Sequence, residues 1–352
     1  MSTLWAVCPV YYDVESFLTL RKEVSAQWQA LDFPAPRTIR FVAIDDSGGQ
    51  DPDISRLRTL DDTVVVVVPF NLGHQRAIVF GLRALSAGIA DDDWVVTLDA
   101  DGEDQPSDLP RLLRALAGLP AGSHHVVLAW RVKRREVWWF KLLYSGFKLM
   151  FLLLTGTVIR TGNFAAFRGV LTRRVLFHPY FDLSYSSTLL SLNIPAVYVP
   201  CERGVRYAGR SKMNVSALLR HGLRMLMPFI DRIAARALVL FTIILSTGVV
   251  ASILVLAVRL FTDRGIPGWA SYMLLLILTI SVTALGNFLV LFVLFAQSDG
   301  LSLRGLHEYT RGSVEGDARK PPAGAGPPGD APLLASSPVA RGVDDAAARR
   351  TV

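Results

Sequence analysis

The apolar positions of this chain follow three different patterns. From residue 3 to about residue 130, short apolar runs alternate with stretches whose apolar positions recur every three to four residues. Residues 4–8 (LWAVC), 39–44, 64–68, 94–98 and 125–129 predict strands, the first stopped by Pro9. Residues 15–30, 74–87 and 108–116 predict helices. The β-branched run at 64–68 suits a strand buried on both faces. Strands separated by helices imply an α/β fold with a parallel sheet, and ligands bind such sheets at the strands' carboxyl ends.

The second pattern is uninterrupted. Residues 237–258 carry no charge, nor do 265–298, whose apolar core is 270–296. Each exceeds the roughly 20 residues that a bilayer span requires, so two transmembrane helices are expected. The third pattern is amphipathic. Residues 138–159 are aromatic and apolar but interrupted by Lys141 and Lys148. They predict a helix lying in the membrane interface, with a core helix under the sheet as the alternative. Residues 213–236 form a second basic amphipathic stretch leading into the first span. From 312 to 352 the chain turns to Pro, Gly and Ala without periodicity, which predicts a disordered tail. The domain boundaries expected are therefore 1–212, 213–236, 237–298 and 312–352.

Composition sharpens this picture. Half of the 352 residues are hydrophobic, and the mean hydropathy of +0.36 is high because of the two apolar segments. The net charge is +7, and Arg220, Arg224, Arg232, Arg236, Arg304 and Arg311 flank the spans. Anionic lipid explains that clustering better than a nucleic-acid partner does. By the positive-inside rule both termini are cytoplasmic and the loop at 259–268 lies outside. Residues 1–5 show neither a basic n-region nor a long apolar h-region, so the first 236 residues are expected to stay in the cytosol, on the inner membrane. Cys8 and Cys201 lack metal-ligand spacing and are expected to be reduced and buried.

Candidate chemistry sits where strands end. Asp99-Ala100-Asp101-Gly102 follows the run at 94–98. Side chains alternate along a strand, so Asp99 and Asp101 project the same way and offer hard oxygen ligands for Mg²⁺ or Mn²⁺ on a diphosphate. Pro9-Val10-Tyr11-Tyr12-Asp13, Asp45-Asp46-Ser47-Gly48 and Asn71-Leu72-Gly73-His74 follow the earlier strands, so four polar loops converge on one sheet edge. His74 and Gln75 open a helix, where a capping role is expected, with a donor-phosphate role at the helix N-terminus as the alternative.

These segments, in this order and spacing, resemble glycosyltransferase family 2 over about residues 3–215. Arg203, Arg206 and Gly209 to Lys212, placed just before the apolar segments, resemble its polyprenyl-phosphate glycosyltransferase branch, which includes dolichyl-phosphate mannose synthase. The resemblance implies a GT-A fold, a Rossmann-like, mostly parallel sheet flanked by helices. It implies a nucleotide-sugar site at Pro9, Tyr11, Asp13, Asp45, Asp46, Asn71, Gly73, Asp99 and Ala100, with a carboxylate able to accept from a base N–H or a ribose hydroxyl. It implies metal ligation by Asp99 and Asp101, and an acceptor-phosphate site at Arg206, Ser211 and Lys212. Asp99, Asp101, Arg206 and Lys212 would then carry an inverting transfer from a UDP- or GDP-sugar to undecaprenyl phosphate, without a strong general base.

Many members of that branch carry an acid where this chain has Asn163. A hydroxyl acceptor would then need a base elsewhere, such as Asp182 or Glu202. Transfer to a glycan or glycolipid hydroxyl is the alternative reading, and a non-catalytic nucleotide-sugar-binding protein the second. Gly248, Gly286 and Asn287 are expected to serve helix packing, and homo-oligomerisation is left open.

Overall fold

The computed structural model describes residues 2–131, 138–159, 161–174, 176–208, 215–262, 266–296 and 314–315. Within them, β1 (Thr3–Val10), β2 (Thr38–Asp45), β3 (Thr63–Val67), β4 (Trp94–Thr97), β5 (Val126–Arg131), β6 (Thr161–Arg168), β7 (Ala196–Cys201) and β8 (Val314–Glu315) form one sheet. Its order is β7-β5-β6-β4-β1-β2-β3-β8. β1 to β4 run parallel, and β5 is parallel to β7. β6 lies antiparallel between β4 and β5, and β8 pairs antiparallel with the β3 edge. The fold is a mostly parallel mixed sheet flanked by helices.

Both sheet faces are covered. Leu4, Ala6, Cys8 and Val10 pack with Phe17 and Leu20 of α1 (Val14–Gln29) and Leu112, Leu113 and Leu116 of α3 (Leu109–Ala117). Trp5 and Val7 point the other way, to Ala77, Ile78 and Phe80 of α2 (His74–Leu85). Each fully buried large side chain contributes about 1.5–3 kcal/mol. Gly81 lets α2 approach β2 closely, since a Cβ there would lie 2.4 Å from Cδ1 of Ile44.

Two strand expectations are corrected. β1 does not stop at Pro9 but pairs through Val10. In a parallel ladder alternate residues face opposite neighbours. Val7 accepts from Leu98 on the β4 side, and Val10 accepts from Asp46 on the β2 side. Pro9 therefore faces β4 beyond that strand's end, where its missing N–H costs nothing. β6 was not predicted at all. Its sequence TGNFAAFR holds small residues rather than β-branched ones, and its central place between β4 and β5 overrides weak propensity.

The chain then passes through α4 (Trp138–Thr155), α5 (Gly169–Arg174) and α6 (Tyr185–Ser191) to a C-terminal helical region. α4 ends at Gly156, whose φ of +72° suits a glycine stop. Leu149, Met150, Leu152 and Leu153 of α4 are exposed, while Phe151 packs on Phe229 and Ile233, so α4 is not a core helix under the sheet. The stretch 213–236 is not one helix. α7 (Val215–Leu226) gives way to a 3-10 turn at Met227–Phe229, where Pro228 lacks an N–H, and α8 (Ile230–Phe261) follows.

α8 and α9 (Trp269–Ala296) are long and apolar enough to cross a membrane, and 6% and 0% of their apolar windows are buried. Gly248 sits at their contact, where a Cβ would lie 3.1 Å from Ile277 and 3.2 Å from Ser281. Gly286 has nothing within 4 Å of that position, so the packing role expected for it is not seen. Within the stretch read as tail, Val314–Glu315 is paired with β3; the rest of 312–352 lies outside the described residues.

Candidate active site

Strand direction decides which loops meet. The loops after β1, β2, β3 and β4 leave one edge of the sheet. β7 is parallel to β5, and both are aligned with β4 through antiparallel β6. The loop after β7 therefore emerges at the same edge, and β6 begins there. This brings residues 11–13, 45–49, 71–75, 98–104, 161–163 and 202–207 together.

Past the end of β4, alternation persists: Ala100 is buried while Asp99 and Asp101 are half-buried. Oδ1 of Asp99 lies 2.8 Å from Nε2 of His74 and accepts from Nδ2 of Asn163 at 3.1 Å. The Asn163 amide also meets His74, and its Oδ1 accepts from Gln75. Gln75 in turn accepts from the backbone N of Ser186 at 2.8 Å, which ties α2 to the start of α6. The Asn163 carbonyl accepts from Thr97 Oγ1 at 2.6 Å. His74 makes no side-chain cap; Gly73, at φ +80°, is the N-cap residue, and the imidazole serves Asp99 instead.

Asp101 faces a different set. Its Oδ1 accepts from the N–H of Glu103 at 3.0 Å, and its Oδ2 lies 3.0 Å from Nη2 of Arg206. Glu103 accepts from Nε of Arg206 at 2.9 Å and pairs with Arg203 at 2.5 Å. The field is strongly acidic. Burial and the Asp99 charge push the Asp101 carboxyl upward. Burial opposes ionisation of Glu103, but bonds from Arg203 and Arg206 prevail and lower it. Burial also opposes charge on His74, yet Asp99, Asp104 and Asp101 raise it.

The β2 carboxylates divide their work. Asp45 is fully buried and accepts from Ser47 N at 2.9 Å, Ser47 Oγ at 2.6 Å and Gly49 N at 3.1 Å. It builds the turn rather than facing a ligand. Asp46 accepts from Leu72 N at 2.8 Å and ties this turn to the 71–73 loop. Burial lifts its carboxyl from 3.8 to about 6, against the N–H groups of Leu72 and Gly73 and the charge of His74.

Pro9 is buried within β1, and Asn71 is exposed. Tyr11 and Tyr12 are exposed and meet edge to face at 4.9 Å. Asp13 stands at the start of α1 without capping it. Asp182 is committed to a buried ion pair with Arg83, whereas Glu202 is exposed at the start of the loop after β7. Ser211 and Lys212 lie outside the described residues. Glu103 is not singled out by the sequence because its partners lie about 100 residues away, and Gln75, expected in a capping role, instead bonds Asn163 and Ser186 across the site.

The residues fit a divalent cation of the Mg²⁺ type. Such an ion takes one or two carboxylates and completes its shell with phosphate oxygens and water. Asp99 and Asp101 would supply that pair, and their mutual repulsion is what a cation would relieve. Among the described residues no group of three or more His, Cys, Asp or Glu is arranged as a metal cluster.

Known proteins resemble part of this chain. Residues 19–176 match the model of glycosyl transferase family 2. An undecaprenyl-phosphate 4-deoxy-4-formamido-L-arabinose transferase from Serratia proteamaculans is 27% identical over 155 residues, 43% of this chain and 43% of that protein. A transferase of the same description from Sodalis glossinidius is 29% identical over 140 residues, 38% of this chain and 39% of that protein. The chain thus spans about two fifths of the length of these curated relatives. Among solved structures, a 4-diphosphocytidyl-2C-methyl-D-erythritol synthase superposes with a TM-score of 0.34 at 13% identity, covering 63% of this chain and 99% of that one. That superposition is too loose to compare sites.

Proposed function

We propose that this chain, which carries a family 2 glycosyltransferase domain over residues 19–176, moves a sugar from a UDP- or GDP-sugar to a polyprenyl phosphate at a membrane. The observation that carries the reading is one sheet edge holding a buried acid, a paired Asp-x-Asp and an arginine, in a chain that also has two membrane-length helices. The relatives' acceptor is a polyprenyl phosphate, which fits such a chain.

Asp46, the 71–73 loop and the exposed tyrosines receive the nucleoside. Asp99 and Asp101 would hold Mg²⁺ or Mn²⁺, which would offset charge on the leaving nucleoside diphosphate. His74 and Asn163 fix the Asp99 carboxylate, and Arg206 stands beside the leaving phosphates. The acceptor phosphate is already anionic near neutral pH and attacks the anomeric carbon as the sugar–phosphate bond breaks. Positioning and charge stabilisation therefore suffice. The absence of an acid at 163 and the commitment of Asp182 to Arg83 favour this acceptor over a hydroxyl.

Two observations support this membrane arrangement. Arginines cluster at the start of α8, as expected of a cytoplasmic flank. Val314–Glu315, after α9, pairs with β3, so the chain returns to the side of the catalytic domain, as two spans require. The exposed apolar face of α4 would lie against the same leaflet.

A donor screen tests the reading. Purified protein in detergent, with Mg²⁺ or Mn²⁺ and undecaprenyl phosphate, is given each labelled nucleotide-sugar in turn. Label in the organic phase from one donor is expected. Label transferred only to a glycan hydroxyl, or donor binding with no transfer to either acceptor, would overturn it.

A further inference from the structure

The segment 203–207 lies across the Asp-x-Asp loop like a strap. Its backbone is fastened independently of its charges. Gly204 N donates to the carbonyl of Glu103 at 2.9 Å, and Tyr207 N donates to that of Asp101 at 2.9 Å. Tyr207 Oη donates to Glu23 of α1 at 2.7 Å. The two loops touch at glycines. A Cβ on Gly204 would lie 2.2 Å from the carbonyl oxygen of Gly102, and a Cβ on Gly102 would meet the Tyr207 ring at 2.8 Å.

On this fixed strap, one guanidinium bridges two carboxylates. Arg206 reaches Asp101 at 3.0 Å and Glu103 at 2.9 Å, and Glu103 is itself fixed by Arg203 at 2.5 Å. A planar fork of donors can satisfy both acids at once. A divalent cation cannot share the Asp101 carboxylate with this guanidinium without strong repulsion. Glu103 stays in place when that exchange happens, because its second partner is Arg203 and the strap's backbone bonds run to the main-chain carbonyls of Glu103 and Asp101, not to the Asp101 carboxylate.

We propose that Arg206 is a resident counter-ion that the donor's cation displaces from Asp101, and that Glu103 keeps the released guanidinium over the site to meet phosphate oxygens. The inference rests on the donor reading above for the identity of the phosphate, but not for the displacement itself. Glu103 is thereby a positioning residue. Cation and diphosphate then bind with positive coupling, since the diphosphate supplies the anion that Arg206 needs on leaving Asp101.

The test is Mn²⁺ binding to the full chain in detergent, followed by electron paramagnetic resonance, alone and with UDP or GDP. Arg206→Gln should bind Mn²⁺ alone about 5- to 10-fold more tightly than the parent and lose much of the nucleotide enhancement. Glu103→Gln leaves Arg206 to Asp101 alone and should bind Mn²⁺ no more tightly than the parent. Arg206→Lys, which keeps a charge without the fork, should fall between and serves if Arg206→Gln does not fold. Mn²⁺ affinity unchanged or weakened in the Arg206 variants, or no Mn²⁺ binding in any of the proteins, overturns the proposal. Tighter Mn²⁺ binding in Arg206→Gln with no nucleotide effect in the parent would uphold the displacement and sink the donor reading. Nucleotide enhancement in the parent with no Arg206 effect would do the reverse.

Discussion

β4 has an aspartate before its first residue and two just beyond its last, and they behave oppositely. Asp93, fully buried, accepts from Thr3 N at 2.8 Å, from the Trp5 indole at 3.0 Å and from Ala90 N at 3.0 Å. Two of these donors are backbone and the third is a packed indole, so none can leave without unfolding the edge. Asp99 and Asp101 are met mostly by His74, Asn163 and Arg206, which are side chains that can rotate, with one backbone donor, Glu103 N, on Asp101. The same residue type is a rivet at one end and, on the proposal above, an exchangeable ligand at the other. What differs is the balance of backbone and side-chain donors.

The largest expected effect separates the two ends by readout. Asp101→Ala should lower kcat/KM by about 10²–10³-fold, the scale of losing one preorganised charge contact, while the melting temperature barely moves. Asp93→Ala should do the converse. It strands a buried indole N–H and two amides, each worth about 1–3 kcal/mol when unsatisfied. A loss of about 3 kcal/mol in detergent unfolding, with near-normal kcat/KM in the folded fraction, is expected. Equal stability losses at both positions would break the comparison.

A smaller effect comes from Asp46, whose carboxyl titrates near 6. Because its pKa is raised in the folded state, its proton stabilises the fold fully below about 4, and that stabilisation is lost as the pH rises toward about 6. Donor binding should move the other way. The carboxylate is the acceptor, so affinity for a nucleotide-sugar should fall as pH drops below about 6, by about tenfold per unit. Isothermal titration between pH 5 and 8 checks this. Asp46→Asn should bind weakly with a flat profile, and a flat profile in the parent would remove Asp46 from the nucleotide site.

The parallel part of the fold was legible because it is local: apolar runs, turns and helical spacing mark β1 to β4, and the polar loops after them fall on one edge as a parallel sheet demands. β6 was not legible, since its small residues carry no strand signal and its place is set by β4 and β5. Within the site, Asp99 and Asp101 could be read from their spacing. Asp45 and Asp46 could not be told apart, because only the turn geometry gives one to the backbone and leaves the other facing the 71–73 loop. His74 looked like a cap because it opens a helix; its partner, Asp99, becomes visible only when two loops meet. Glu103 was invisible for the same reason.

The smallest effect concerns how loosely the exchangeable end is built. Gly102 has φ +85°, and a Cβ there would lie 2.8–2.9 Å from the Tyr207 ring. At the riveted end, a Cβ on Gly169 would lie 2.0 Å from the carbonyl oxygen of Ala90, which is backbone and cannot yield. Tyr207 can yield more readily, since its ring is a partly buried side chain packed at the margin of the core rather than backbone. Gly102→Ala should therefore cost about 1 kcal/mol of stability from the positive φ and displace the ring rather than the sheet edge. Its signature is functional: the strap lifts, Arg206 loses register with Asp101, and Mn²⁺ alone binds more tightly, in the same direction as Arg206→Gln but by less. Tighter Mn²⁺ binding in Gly102→Ala would show that strap geometry, and not Arg206's charge alone, holds the counter-ion in place. Unchanged Mn²⁺ binding with a loss well above 1 kcal/mol would place Gly102 with the rivets.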